Sequence, residues 1–188
     1  MAPSVLYQNF SQFIRQQWNN HVTLTPPSES SFNILIDNRK LDAKKELGNR
    51  ARHIKNMNSL VDEISKIPKV TVRLQDFSLL NFPDQIKAVH SANIFISMHG
   101  AGTTHIFHMA VGRPNCCAVI ELQPEGKFGY NKTFGFGNLA RHLGIYHFRY
   151  VAADGSSSSD GSTVAIGDLK RNVLNAIDNI RERSSCKL

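Results

Sequence analysis

No apolar run in the 188 residues approaches the roughly 20 that a membrane-crossing helix needs. Cysteine is scarce: Cys116, Cys117 and Cys186 show neither metal-ligand spacing nor the pairs of a disulfide framework. Cys116 and Cys117 lie beside an apolar strand, so burial as small hydrophobes is expected for both. The Gly-x-Ser-x-Gly elbow of serine hydrolases is absent, which sets that chemistry aside. His99 and His105 lack a third ligand at convincing spacing, so no metal site is expected. The opening residues, Met1 to Asn9, lack the basic start and long apolar run of a secretory leader. Two readings stay open: a cytosolic chain, or a piece of a longer precursor. No internal repeat is visible.

The composition is that of a globular domain, 41% hydrophobic and 20% charged, long enough for a substantial core. The formal net charge of +7 calls for an anionic partner. Nucleic acid is one class, but the basic residues are not interleaved with aromatics in a known recognition motif. A local polyanion such as a sugar nucleotide is the other.

Apolar periodicity predicts an alternation of helices and strands. Leu6, Phe10, Phe13, Ile14 and Trp18 mark an amphipathic helix near residues 4 to 18, followed by a Pro- and Ser-rich linker to about residue 30. Strands are expected at 32–36, 70–74, 94–98, 118–122 and 146–150. Met57, Leu60, Val61 and Ile64 form one helix stripe. Pro83 opens another helix, and a third stops at Gly144. A final helix starts at Asp168 and ends near the favourably placed Arg181 and Arg183. The Gly-, Ser- and Asp-rich residues 153–163 read as a mobile loop. Residues 1–30 are thus an N-terminal helix and linker. Residues 31–188 are a Rossmann-like α/β domain, a parallel sheet with helices on both faces.

The densest functional signal runs from Ile94 to Phe107: a buried strand, the turn His99-Gly100-Ala101-Gly102, then a helix starting near Thr103 or Thr104. Small residues let a ligand approach the backbone, and a helix start points free N–H groups at an anion. In α/β sheets this is the carboxyl end of a strand, where ligands bind. Arg39 and Lys40 follow the first strand, Arg50 and Arg52 precede the next helix, and Glu121 lies in the fourth strand. Arginine offers a planar fork of donors for phosphate oxygens. Glu121 is either an acceptor for ribose hydroxyls or an organiser that holds the site together. His99 is either a ligand contact or a structural histidine, Asn56 a functional group or an N-cap, and Gln85 a site or a surface residue.

The order Ile34-Leu35-Ile36-Asp37-Asn38-Arg39, Arg50-Ala51-Arg52-His53-Ile54-Lys55-Asn56, Phe82-Pro83-Asp84-Gln85, His99-Gly100-Ala101-Gly102-Thr103-Thr104-His105-Ile106-Phe107 and Val119-Ile120-Glu121-Leu122 resembles glycosyltransferase family 61 over roughly residues 30 to 150. The family includes plant β-1,2-xylosyltransferases and O-GlcNAc transferases of the endoplasmic reticulum. The resemblance implies one lobe of a GT-B fold, the donor-binding lobe. It implies transfer from a UDP-sugar to a glycan or glycoprotein hydroxyl, without a metal or other cofactor and with inversion. It places Arg39 and Arg52 at the diphosphate, His99, Gly100, Ala101, Gly102 and Thr104 in the donor turn, and Glu121 at the donor site. The catalytic base is expected in a second lobe, and the full-length enzyme in the Golgi or endoplasmic reticulum lumen, held by an anchor outside these residues. Thr103 stands where the family commonly has Leu, and Met57 where it has an acid. The alternative is a non-catalytic anion-binding module or degenerate paralogue acting in assembly. The sequons Asn9-Phe10-Ser11 and Asn131-Lys132-Thr133 would be glycosylation acceptors in a secretory compartment.

Overall fold

The computed structural model describes residues 4–19, 23–24, 30–38, 53–109, 116–123, 135–151, 157–158 and 161–182. Five strands form one sheet: β1 (Phe32–Asp37), β2 (Val70–Gln75), β3 (Ile94–Met98), β4 (Ala118–Gln123) and β5 (Tyr146–Val151). Their order is β2-β1-β3-β4-β5 and every pairing is parallel. This is the doubly wound order whose direction of winding reverses between β1 and β3, so a ligand crevice is expected beyond the carboxyl ends of those two strands.

Both faces of the sheet are covered, which is why the central strands read as continuous apolar runs. Helices α2 (Met57–Ser65) and α5 (Ile166–Arg181) cover one face, where Leu60, Ile64, Val173 and Ile177 pack on Ile34, Ile36, Ile96 and Ile120. On the other face, α3 (Phe82–His90), α4 (Gly135–Leu143) and a 3-10 helix (Ala101–His108) pack on Leu35, Phe95 and Val119. Helix α3 opens as its Asn-Phe-Pro-Asp start dictates: Asn81 accepts from the Asp84 N–H at 2.9 Å, with Pro83 in the first turn. Gly144 ends α4 with φ of 72°.

Two side-chain amides tie distant segments together. Asn56 does not cap α2; its Nδ2 donates to the Val164 carbonyl at 2.8 Å and its Oδ1 accepts from the Val164 N–H at 3.0 Å. Gln85 donates to the carbonyls of Phe77 and Leu80 at 2.9 and 3.0 Å, fixing the turn before α3. Both residues are structural here, although their spacing carried part of the family resemblance.

Three sequence expectations change. Helix α1 (Val5–Asn19) forms where expected, but Leu6, Phe10 and Phe13 are exposed. The sheet face is already covered by α4 and the 3-10 helix. Helix α1 docks on them instead through Ser11, whose hydroxyl donates to the Phe107 carbonyl at 2.7 Å, and through Tyr7 stacked on His142. The segment after the glycine turn is a 3-10 helix from Ala101, wound more tightly than the expected helix, and the Thr103 N–H donates to the Gly100 carbonyl at 2.9 Å with that i to i−3 period. Within residues 153–163, Ser157–Ser158 (β6) and Gly161–Ser162 (β7) pair antiparallel. Ser162 is buried against the backbone of His53 and Lys55. Gly161 permits this contact: its φ is 125°, and an added Cβ would lie 2.5 Å from the His53 carbonyl oxygen. Finally, Cys116 is disulfide-bonded, while Cys117 is a buried thiol. The few cysteines hid this, because only the fold brings a pair together.

Asn56→Ala is expected to leave both polar groups of the buried Val164 backbone without their partner. The loss is about 2 kcal/mol, or a fall in Tm of about 6 °C, in thermal unfolding. An unchanged Tm would show that Asn56 does not hold α2 to the α5 entry.

Candidate functional site

Period-2 alternation puts residues 37, 97, 121 and 149 on the same face of four successive strands. Ser97 stands opposite Glu121 and Glu121 opposite Arg149. The register of Ile36 with Ile96 sets Asp37 beside Ser97, whose hydroxyl donates to Asp37 Oδ2 at 3.4 Å. The row beneath is Leu35, Phe95, Val119 and His147. On β1, β3 and β4 this face therefore stays apolar up to one rung, then becomes a polar row toward the carboxyl edge. Asp37, Ser97 and Glu121 are all buried in it.

Glu121 is the centre of the row, with 1% of its surface exposed. Oε1 accepts from His99 Nδ1 and, at 3.1 Å, from Gln123 Nε2; Oε2 accepts from His147 Nε2 at 2.7 Å. Gln123 in turn accepts from Arg149 Nε at 2.7 Å. Burial pushes the Glu121 carboxyl up, but the donors His147, His99 and Gln123 pull it further down, so it sits below its ordinary range and is an anion. A buried carboxylate is tolerated only with such a set of donors.

The glycine turn sits directly above. The His99 N–H continues the ladder by donating to the Leu122 carbonyl at 2.7 Å. Gly100 then adopts φ 150° and ψ −168°, a region that side chains other than glycine rarely enter. Thr103 is buried, its hydroxyl donating to the Met98 carbonyl at 3.3 Å. Gly102 is also buried, whereas Ala101 and Thr104 face outward. His99, Gly100, Ala101, Gly102, Thr104 and Glu121 are thus brought to one place, with Glu121 beneath and the turn on top. Glu121 meets histidines, not the arginine that its charge invites. Arg39 and Arg52 lie outside the described residues.

On the opposite side of the β1 end, Asn38 lines a cavity of about 460 Å³ with His53, Lys55, Asn56, Asn58 and Ser59. This cavity opens at the start of α2, the nine-residue helix whose first N–H groups Asn56 leaves uncapped. His105 and His108 belong elsewhere. They pack with Phe77 and Phe82, and burial, with His105 and His90 nearby, lowers His108 to about 4. Among the described residues no three His, Cys, Asp or Glu side chains stand together as a metal-binding group.

Sequence inspection missed Asp37, Ser97, Gln123, His147 and Arg149. The signal was available in part: each is a polar residue on one parity of an otherwise apolar strand.

A family model described as Glycosyltransferase 61 matches residues 2–119. The chain is 28% identical over 153 residues to an EGF domain-specific O-linked N-acetylglucosamine transferase of Xenopus laevis, covering 80% of this chain and 26% of that protein. The protein of the same name from Canis lupus familiaris is 31% identical over 147 residues, covering 77% of this chain and 24% of its own length. The Rattus norvegicus protein of that name is 29% identical with the same coverage. The chain therefore spans about a quarter of the length of the curated relatives it matches.

The Glu121 network makes a pH prediction. Its folded-state value lies below the ordinary 4.5, so the ionised group contributes stability above 4.5 that is lost as pH falls through the folded value. Glu121→Gln puts an amide NH₂ against donor N–H groups and is expected to lower neutral-pH stability by about 2 kcal/mol. It also flattens the acid slope in urea unfolding. Equal slopes for the two proteins would contradict this role.

Proposed function

The chain belongs to glycosyltransferase family 61, and on that premise we propose that it is the donor-binding part of a glycosyltransferase that uses a UDP-sugar. One observation carries this reading. A glycine-only turn at Gly100 closes over an anionic, fully bonded Glu121, at the carboxyl edge of a parallel sheet beside the point where its winding reverses. Such a floor holds the backbone N–H groups and His99 still, which is what recognition of a diphosphate or ribose requires. The second element is the cavity at the α2 start, with His53 and Lys55. Arg39 and Arg52 stand beside it in sequence and are assigned to the diphosphate. These cations stabilise the leaving group in place of a metal, and transfer to a glycan or glycoprotein hydroxyl proceeds with inversion.

A lumenal site, Golgi or endoplasmic reticulum, goes with this activity. The disulfide at Cys116 favours an oxidising compartment. No helix among the described residues is long and apolar enough to cross a membrane.

A second reading is a non-catalytic anion-binding module that works in assembly. The exposed Leu6, Phe10 and Phe13 of α1 favour it, since large apolar patches mark contact surfaces.

Calorimetric titration of UDP, with UMP and ADP as controls, tests the donor reading. UDP is expected to bind at least tenfold more tightly than UMP or ADP (about 1.4 kcal/mol) and equally well in EDTA. Gly100→Ala, which forces a Cβ into a glycine-only conformation, is expected to cost at least tenfold, as is Arg52→Ala. No UDP binding by the folded chain would leave the turn as architecture and put the module reading first.

A further inference from the structure

His147 lies one rung below the polar row, on the edge strand β5, yet its Nε2 reaches across to Glu121 Oε2 at 2.7 Å. Its other side is closed by α4. A Cβ added to Gly137 would lie 3.1 Å from His147 Nδ1 and 3.2 Å from Cε1, so the ring occupies the space a side chain would take. The residue before Gly137 is Phe136, whose ring meets His99 edge-on at 5.3 Å between centroids. The contacts form a closed circuit: His147 to Glu121, Glu121 to His99, His99 to Phe136, and Gly137 back onto His147.

An ionised carboxylate only accepts hydrogen bonds. Each ring nitrogen facing Glu121 must therefore carry a proton. His99 is held with its proton on Nδ1, and Nε2 is the nitrogen turned away from Glu121. Which nitrogen of a histidine is protonated is set by the bond the other one makes. Glu121 is fixed in place to do this by its second oxygen, and His147 holds that oxygen.

We infer that His147 is a positioning residue for the glycine-turn site: by holding Glu121 Oε2 it fixes the tautomer and ring orientation of His99. This inference rests on the donor-site reading for its functional consequence, a weaker grip on a nucleoside diphosphate when His147 is lost. Its structural content stands without that reading. Gly137 belongs to the same device, because it admits the imidazole beneath the start of α4.

The test is NMR of isotope-labelled histidine rings in the 188-residue chain, alone and with UDP, for wild type, His147→Phe, His147→Gln and Gly137→Ala. In wild type the His99 ring is expected as a single tautomer protonated at Nδ1. His147→Phe is expected to give a mixture of tautomers and about tenfold weaker UDP binding. His147→Gln, whose amide still donates to Glu121, is expected to restore both to within about threefold. Gly137→Ala keeps every hydrogen-bonding group but presses on the ring, and is expected to shift the His99 signals in the same direction as His147→Phe. A single, unshifted His99 tautomer in folded His147→Phe or Gly137→Ala would overturn the inference. If His147→Phe does not fold, Gly137→Ala decides the question. If the His99 tautomer responds as expected but wild type does not bind UDP, the donor reading fails and the positioning role stands.

Discussion

One buried carboxylate organises this molecule. Glu121 is a charge placed inside a sheet between apolar Ile120 and Leu122, and its burial would be prohibitive without donors on both oxygens. His99, Gln123 and His147 supply them, from the end of β3, the end of β4 and one rung lower on β5. The need to satisfy Glu121 therefore fixes the end of β3, the last residue of β4 and the ring beneath α4 together. The Gly100 turn follows directly from His99, so its geometry depends on that same charge. Ser97 and Asp37 extend the polar row to β1, and Arg149 with Gln123 extends it to β5.

The row lies where a parallel sheet of this order offers a crevice, and two different devices flank the end of β1. On one side is the rigid floor under the glycine turn. On the other is the roomier cavity at the uncapped start of α2, lined by His53 and Lys55. A nucleotide and its phosphates make different demands. The first needs fixed acceptors and donors at close approach, and the second needs cations and free N–H groups. On the proposed donor reading, Arg39, Lys40, Arg50 and Arg52, which neighbour the cavity's lining in sequence, serve the phosphates, while the floor is built from a carboxylate and imidazoles.

Much of the fold was legible because its physics is local. The strand at Ile94 and the one at Ala118 are apolar on both parities, as strands buried on two faces must be. The α3 start was legible in Pro83, and the α4 stop in Gly144. Glu121 and the glycine turn were visible as exceptions to apolar patterning. What stayed hidden depends on register. The bond from His147 to Glu121 joins strands by a diagonal that no spacing within one strand encodes. The clamp from Asn56 to Val164 spans more than a hundred positions of sequence. Helix α1 shows the other limit: its apolar stripe was plain, but that α4 and the 3-10 helix already cover the sheet is a property of the whole fold. Arg39 and Arg52 lie outside the described residues, and their assignment to a diphosphate rests on sequence order and family resemblance.

The central claim is that the surface above Glu121 receives the nucleotide. Amide hydrogen exchange, followed by mass spectrometry with and without UDP, reads this directly. The account predicts slowed exchange in peptides covering residues 97–104 and 118–123, with a second protected stretch at 53–59. UDP binding that leaves residues 97–104 unchanged while protecting another surface would contradict it.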